Sequence, residues 1–317
     1  MSASPTAVHE VLLRDVTLRD GLQLTGKPLP ANRKVEIIRR LFALGVPTIE
    51  IGSMARADLV PAMANTPDVI SLLTAEELTK SWLWVATPGH VRRAADRGIV
   101  NFQYCLSASS LHNEANLGRT TNASLDAMPE AIAASQAAGG TIQLCIATAF
   151  TSPFEGLVET DAVVAIANDP RTAGSADIVL CDTLGQATPQ QVASLVQRIC
   201  QESPVRRIVY HGHDTWGMGV ANTLAAVASG ATMVDGALGG LGGCPFAPGA
   251  SGNAATEDLL FALQPGWQTP ESFKDIVRLS EGLLAELAEP NRSKAVQGAH
   301  STAKLFPWVL AGDETTT

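Results

Sequence analysis

What this chain lacks narrows its function first. It carries no excess of basic charge: 22 Lys and Arg stand against 31 Asp and Glu, a formal net charge of -9, and no local run of Lys or Arg offsets the balance. The electrostatic footprint of nucleic-acid binding is absent, so no nucleic-acid partner is expected. No apolar segment approaches the roughly 20 residues that a membrane-spanning helix needs, and the first ten residues show no basic start leading into an apolar stretch. No membrane association and a cytoplasmic location are therefore expected. The five cysteines, Cys105, Cys145, Cys181, Cys200 and Cys244, form no Cys-x-x-Cys pair in 317 residues. They are too sparse for a disulfide framework, and reduced thiols are the simplest state.

What is present is an aliphatic alternation. Hydrophobic residues make up 46% of the chain, enough to bury one large core or two ordinary ones. Eight short β-rich apolar runs, 11–18, 48–53, 83–87, 100–107, 141–148, 176–182, 207–213 and 233–237, are separated by longer stretches whose apolar residues recur at helical spacing. The clearest helical stretches are 32–44, 125–137, 189–200 and 218–228. Eight strand and helix alternations predict a (β/α)8 TIM barrel of the α/β class, with an open doubly wound sheet as the alternative because strand order is invisible in sequence. The expected division is a tail over 1–10, a catalytic barrel over 11–265, and a C-terminal helical extension with a polar tail over 266–317.

Chemically capable residues fall at the ends of these runs, where a barrel places its active site. Arg19 and Asp20 follow the first, Glu50 and Ser53 end the second, Asp182 ends the sixth, and His211 and His213 end the seventh. In an extended strand His211 and His213 share a face and can offer two imidazoles to one ion, with Asp20 as a hard oxygen ligand. The alternative is a pair of hydrogen-bonded core histidines. A His-x-His pair with oxygen donors, and no thiolate cluster, suits Mg²⁺ or Mn²⁺ better than structural zinc. Asp20 could be a turn residue of its Asp-Gly dipeptide, and Arg19 a rim salt-bridge partner or an oxyanion stabiliser. Asn253 can complete a metal shell or cap the helical stretch 254–263. The segment 236–245 holds five glycines within eight residues and ends in Cys244-Pro245, so it can move and would carry a thiol to the barrel mouth. Cys105, Cys145, Cys181 and Cys200 fit inert packing roles better.

Three blocks, Arg19-Asp20-Gly21-Leu22-Gln23, His211-Gly212-His213-Asp214-Thr215 with Ala221-Asn222-Thr223-Leu224, and Gly239-Gly240-Leu241-Gly242-Gly243-Cys244-Pro245-Phe246 running into Gly249-Ala250-Ser251-Gly252-Asn253-Ala254-Ala255-Thr256-Glu257-Asp258-Leu259, resemble the 3-hydroxy-3-methylglutaryl-CoA lyase family of TIM-barrel metallolyases. The resemblance implies Asp20, His211, His213 and Asn253 as ligands of a divalent metal, Mg²⁺ foremost and Mn²⁺ second. It implies Arg19 as oxyanion stabiliser, Cys244 as a mobile-loop thiol, and Glu50 and Asp182 as active-site carboxylates. The alternative readings are Glu50 as a partner of Arg19 and Asp182 as a strand-end cap. Gln23, Ser53 and Asn116 are the expected substrate contacts, Asn116 within the segment 112–119 that faces either substrate or CoA. An acyl-CoA thioester partner and a homodimer are implied as well. Two features depart from the lyases. Val16-Thr17-Leu18 replaces the usual Gly-Pro before Arg-Asp-Gly and looks like the condensing synthases, and Met54-Ala55-Arg56-Ala57-Asp58 replaces an aromatic-Val-Ser-Pro-Lys stretch beside the expected pocket.

The implied reaction is retro-Claisen cleavage of 3-hydroxy-3-methylglutaryl-CoA, or a related 3-hydroxyacyl-CoA, to acetyl-CoA and a keto acid, acetoacetate for the first. His211 or Asp182 would take the hydroxyl proton, and Cys244 or a water would protonate the enolate. A Claisen-type condensing enzyme and a catalytically silent CoA-binding barrel are the rivals.

Overall fold

The computed structural model describes residues 11–203, 206–246 and 248–310, so the expected N-terminal tail and the polar C-terminal end fall outside the described residues. Eight parallel strands close into a barrel: β1 Leu12–Asp15, β2 Thr48–Ser53, β3 Ser81–Val85, β4 Asn101–Ser107, β5 Thr141–Ala147, β6 Asp177–Asp182, β7 Arg207–Gly212 and β8 Ala231–Gly236. Each pairs with its sequence neighbours. β1 closes the ring by pairing with β8 from Leu12↔Met233 to Asp15↔Gly236. The predicted (β/α)8 barrel with a C-terminal helical extension is thus the observed fold.

The helices form where apolar spacing and capping agree. In Ala31–Ala43 the buried residues Val35, Ile37, Ile38 and Leu41 make one stripe against the barrel. Pro189–Glu202 starts with Pro in its first turn behind a reciprocal Thr188–Gln191 capping box, and buries Val192, Leu195, Val196 and Ile199. The C-terminal helix Pro270–Leu287 begins the same way, at a Thr269–Ser272 box, and its residues Phe273, Ile276, Val277, Leu283, Leu284 and Leu287 join the main core. Leu284 and Asn291 lie against Gly239, and Arg292 N–H donates to Gly239 O at 2.9 Å. The extension therefore supports the Gly-rich segment after β8. Among the described residues no helix is long and apolar enough to cross a membrane.

The first predicted strand ends early. Residues 17–18 do not extend β1; Thr17–Gly21 forms a π-helical turn, with Gly21 N–H donating to Val16 O at 3.1 Å and Leu22 N–H to Thr17 O at 2.9 Å. Such wide turns recur at functional sites because they re-aim side chains. His213 likewise lies just past β7, in an isolated bridge with Asn253. Nor does Asn253 cap the following helix, which is Thr256–Leu263 with Ala255 at the cap.

The lower barrel interior is polar. Arg14, fully buried, makes a fork to Asp235 through Nε (2.9 Å) and Nη2 (2.8 Å), and donates from Nη1 to Gln143 Oε1 at 2.8 Å. Gln143 in turn donates to Asp177 at 2.8 Å, and Asp177 meets Arg207 at 2.7 Å on the rim. This chain of pairs satisfies charges that would otherwise be costly to bury.

Candidate active site

A cavity of about 670 Å³ opens at the C-terminal end of the strands. At its floor a carboxylate oxygen of Asp20 and ring nitrogens of His211 and His213 all lie within 4.8 Å of one another. Three sequence-distant elements make this meeting. The π turn after β1 delivers Asp20, β7 delivers His211, and the bridge past β7 delivers His213 beside Asn253. The two imidazoles sit 5.3 Å apart, centroid to centroid.

Electrostatics keep this cluster ready for a cation. Burial would raise the Asp20 carboxyl, but the Arg19 guanidinium and the His213 hydrogen bond outweigh it and hold Asp20 well below the usual carboxylate range. His213 Nε2 stands 3.4 Å from Asp20 Oδ2, and Asn253 Nδ2 donates to the same oxygen at 2.8 Å. Asn253 Oδ1 and His213 Nδ1 are buried with no hydrogen-bond partner. Unsatisfied lone pairs beside an ionised carboxylate are what a divalent cation would complete, so the residues present fit one. His211 Nδ1 contacts Asp235 Oδ2 at 3.1 Å, which fixes the ring and leaves Nε2 for the cluster. Burial pushes Asp235 up, yet Arg14 and His211 hold it below the ordinary value.

Arg19 is held as firmly. Its Nε donates to Glu50 Oε2 at 2.6 Å, its Nη1 to Asp20 Oδ1 at 2.5 Å, and the guanidinium lies 5.7 Å from the Trp84 ring centroid. Despite burial, the Glu50 and Asp20 charges keep it protonated. Glu50 is completely buried, is raised by burial against the opposing pull of Arg19 and Arg14, and does not line the cavity. It takes the position of Arg19's partner. Asp182 is also absent from the cavity wall; Gln186 N–H donates to Oδ1 at 3.0 Å and Ala187 N–H to Oδ2 at 3.1 Å, the geometry of a strand-end cap.

Gln23, Ser53, Asn116 and Cys244 all line the cavity, as do Arg19, Asp20, His211 and His213. Cys244 is buried on the Gly-rich loop, and Phe246, two residues on, packs 4.9 Å from His112 and 5.8 Å from Phe154. This aromatic latch holds the loop over the mouth. Gly242 is demanded by contact: at φ +128° a Cβ would meet Asn253 Nδ2 at 2.5 Å. Sequence reasoning did not single out Asp235 or Arg14. Asp235 lies in an apolar run and Arg14 in another; β7–β8 pairing sets Asp235 beside His211, and barrel closure sets Arg14 beside Asp235.

Comparison with known proteins agrees with this geometry. The sequence profile of the HMGL-like family matches residues 10–282. An (R)-citramalyl-CoA lyase of Chloroflexus aurantiacus is 37% identical over 294 residues, covering 89% of this chain and 93% of that protein. A hydroxymethylglutaryl-CoA lyase of Bacillus subtilis is 31% identical over 289 residues, covering 91% and 97%. Among solved structures, an HMG-CoA lyase of Acinetobacter baumannii in complex with coenzyme A and 3-methylmalate superposes with a TM-score of 0.85 at 31% identity, covering 96% of this chain and 98% of that one.

Proposed function

Because this chain belongs to the HMGL-like family, we propose that it is a divalent-metal-dependent lyase that cleaves a 3-hydroxyacyl-CoA thioester to acetyl-CoA and a keto acid. The observation that carries the reading is the convergence of Asp20, His211 and His213 with Arg19 and Cys244 on one cavity. The sequence reading favours 3-hydroxy-3-methylglutaryl-CoA. A second substrate, citramalyl-CoA, is favoured by the 37% identical relative and by the Met54–Asp58 segment, where the sequence departs from the lyases and where Ala55 and Arg56 line the cavity. The two share a tertiary alcohol one carbon from the thioester's α-carbon, and differ in the length of the acid arm.

Asp20, His211, His213 and Asn253 would hold the cation, Mg²⁺ or Mn²⁺. When bound, it supplies Lewis acidity toward the substrate hydroxyl and carboxylate oxygens. The remaining work falls to side chains. The hydroxyl proton leaves, the bond between the carbinol carbon and the α-carbon breaks, and its electron pair passes into the thioester as an enolate. Arg19, fixed by Glu50 and Asp20, stabilises the growing negative oxygen without having to reorganise. Of the two bases weighed from sequence, only His211 reaches the cavity, but Asp235 occupies its Nδ1 and its Nε2 is the atom that would hold the cation, so His211 serves as a ligand and the hydroxyl proton passes to water in the cavity. Cys244 Sγ returns a proton to the enolate carbon, completing acetyl-CoA. The latched loop carrying it shields the enolate from water.

The test is product analysis by mass spectrometry after incubating Mg²⁺-loaded protein separately with 3-hydroxy-3-methylglutaryl-CoA and citramalyl-CoA. Acetyl-CoA with acetoacetate, or with pyruvate, identifies the substrate, and Asp20→Ala and Cys244→Ser should abolish product. Folded, metal-loaded protein that cleaves neither thioester would overturn the reading.

A further inference from the structure

Three thiols that the proposed mechanism does not use lie together inside the barrel. Cys105 on β4, Cys145 on β5 and Cys181 on β6 form one buried cluster with Ala147, Val179, Val209 and Met233, against which Trp84 packs. Cys105 and Cys145 face each other in register across β4 and β5. The Sγ atoms of Cys145 and Cys181 are 3.4 Å apart. All three cysteines line the cavity, so a small polar solute that reaches Arg19 and His211 reaches them. Cys181 is paired in register with His211 on β7.

The geometry points to Cys145 and Cys181 as an oxidisable dithiol within the active-site cavity, with a hydroperoxide as the oxidant. A disulfide needs sulfurs about 2.05 Å apart, and Cys145 pairs in register with Val179, two residues before Cys181, so closure takes a local shift of β5 against β6 as well as side-chain rotation. Cys145 lies between the other two thiols and takes the oxidant first. Its sulfur forms a bond to one peroxide oxygen, the O–O bond breaks, and the departing oxygen leaves as water after taking a proton. Cys181 sulfur then displaces the hydroxyl of the resulting sulfenic acid, which leaves as a second water. Two thiols lose two electrons and hydrogen peroxide gains them. Because Cys181 stands beside His211, the cross-link couples the thiol state to the residue that the site depends on. This inference does not rest on which thioester the cavity takes.

The experiment uses full-length, Mg²⁺-loaded protein treated with equimolar hydrogen peroxide, alkylated, digested without reduction and mapped by mass spectrometry. Cys244 also lines the cavity, so the map rather than activity is the readout. The expected result is a cross-linked pair of peptides containing Cys145 and Cys181, lighter by two hydrogens than their sum and separated by dithiothreitol. In Cys181→Ser the sulfenic acid on Cys145 should persist and be trapped by dimedone. Full alkylation of Cys145 and Cys181 while Cys244 takes the oxidant would overturn the inference, as would a cross-link joining Cys145 to Cys105 instead. The wild-type map decides the matter even if the serine variant does not fold.

Discussion

Asp235→Asn tests the physical account of the site most sharply, because the residue lies outside the cluster it serves. Asp235 Oδ2 accepts from both Arg14 Nη2 (2.8 Å) and His211 Nδ1 (3.1 Å), while Oδ1 accepts from Arg14 Nε (2.9 Å). An asparagine amide has one oxygen, so either orientation turns an NH₂ group against an N–H donor. In either orientation His211 exchanges a carboxylate partner for a neutral amide, and loss of such a supporting partner weakens metal affinity by about 10- to 100-fold. Arg14, fully buried, also loses the charge that neutralises it, at a cost of roughly 3–5 kcal/mol. At about 2–4 °C per kcal/mol the melting temperature should fall by roughly 10 °C. Calorimetric titration with Mn²⁺ reads the first effect and thermal unfolding of the metal-free protein the second. The double variant Arg14→Met, Asp235→Asn separates them: with both charges removed, stability should largely recover while Mn²⁺ affinity stays low. Unchanged Mn²⁺ affinity in the single variant, or affinity recovered in the double, would refute the orienting role.

Other outcomes follow from the same coordinates. Gly242→Ala places a methyl 2.5 Å from Asn253 Nδ2 at φ +128°, so Mn²⁺ titration should show weakened binding and turnover should be lost, with the far-ultraviolet spectrum retained. Arg19→Lys cannot span Glu50 and Asp20 with one fork; kcat should fall by about 10²–10³ with KM less affected, measured by steady-state kinetics with the identified thioester. Glu257 is buried, and burial raises its carboxyl to about 7 in the fold, against about 4.3 unfolded. The folded state holds an extra proton between those values, so its contribution is fully present below about 4.3 and is lost as pH rises through 7, by roughly 4 kcal/mol. Glu257→Gln retains an acceptor for Gly239 N–H and should flatten that limb in denaturant titrations from pH 5 to 8; an unchanged slope would refute the assignment.

The sequence displayed the barrel because its signal is local. Runs 48–53 and 141–148 became β2 and β5 almost residue for residue, since strands buried on both faces read as continuous apolar segments. The C-terminal helical extension expected over 266–317 was legible too, and its main helix runs from Pro270 to Leu287. Asp20, His211 and His213 were legible because their residue types have few competing uses in that pattern. The π turn was not: Thr17 and Leu18 have strand-like composition, and only i→i−5 bonds reveal the bend. Nor was the difference between Asp182 and Asp235. Both are carboxylates in the C-terminal halves of apolar strands, and the strand-end pattern favoured Asp182. Its loop supplies two backbone amides that occupy it, whereas Asp235 meets His211 and Arg14 on the two adjacent strands.

That contrast shows where the site's cooperativity lies. Asp20 follows β1 and Asn253 follows β8, yet they are joined by a 2.8 Å hydrogen bond across 233 positions of sequence, beside the seam where β1 and β8 pair. Arg14 and Asp235, partners across the same seam, tie its lower half as Asp20 and Asn253 tie its upper. The seam is the longest loop closure in the fold and the part that local propensity supports least, so its stability depends on these polar pairs and on the Leu12–Asp15 ladder together. A cation shared by Asp20 and His213 would bridge β1 and β7 with Asn253 beside them, and would stabilise the closed barrel by mass action. Metal loading should therefore protect amides of Leu13 to Val16 from hydrogen exchange more than those of β4, which closes no seam. Equal protection of both would show that the cation is bound without bearing on closure.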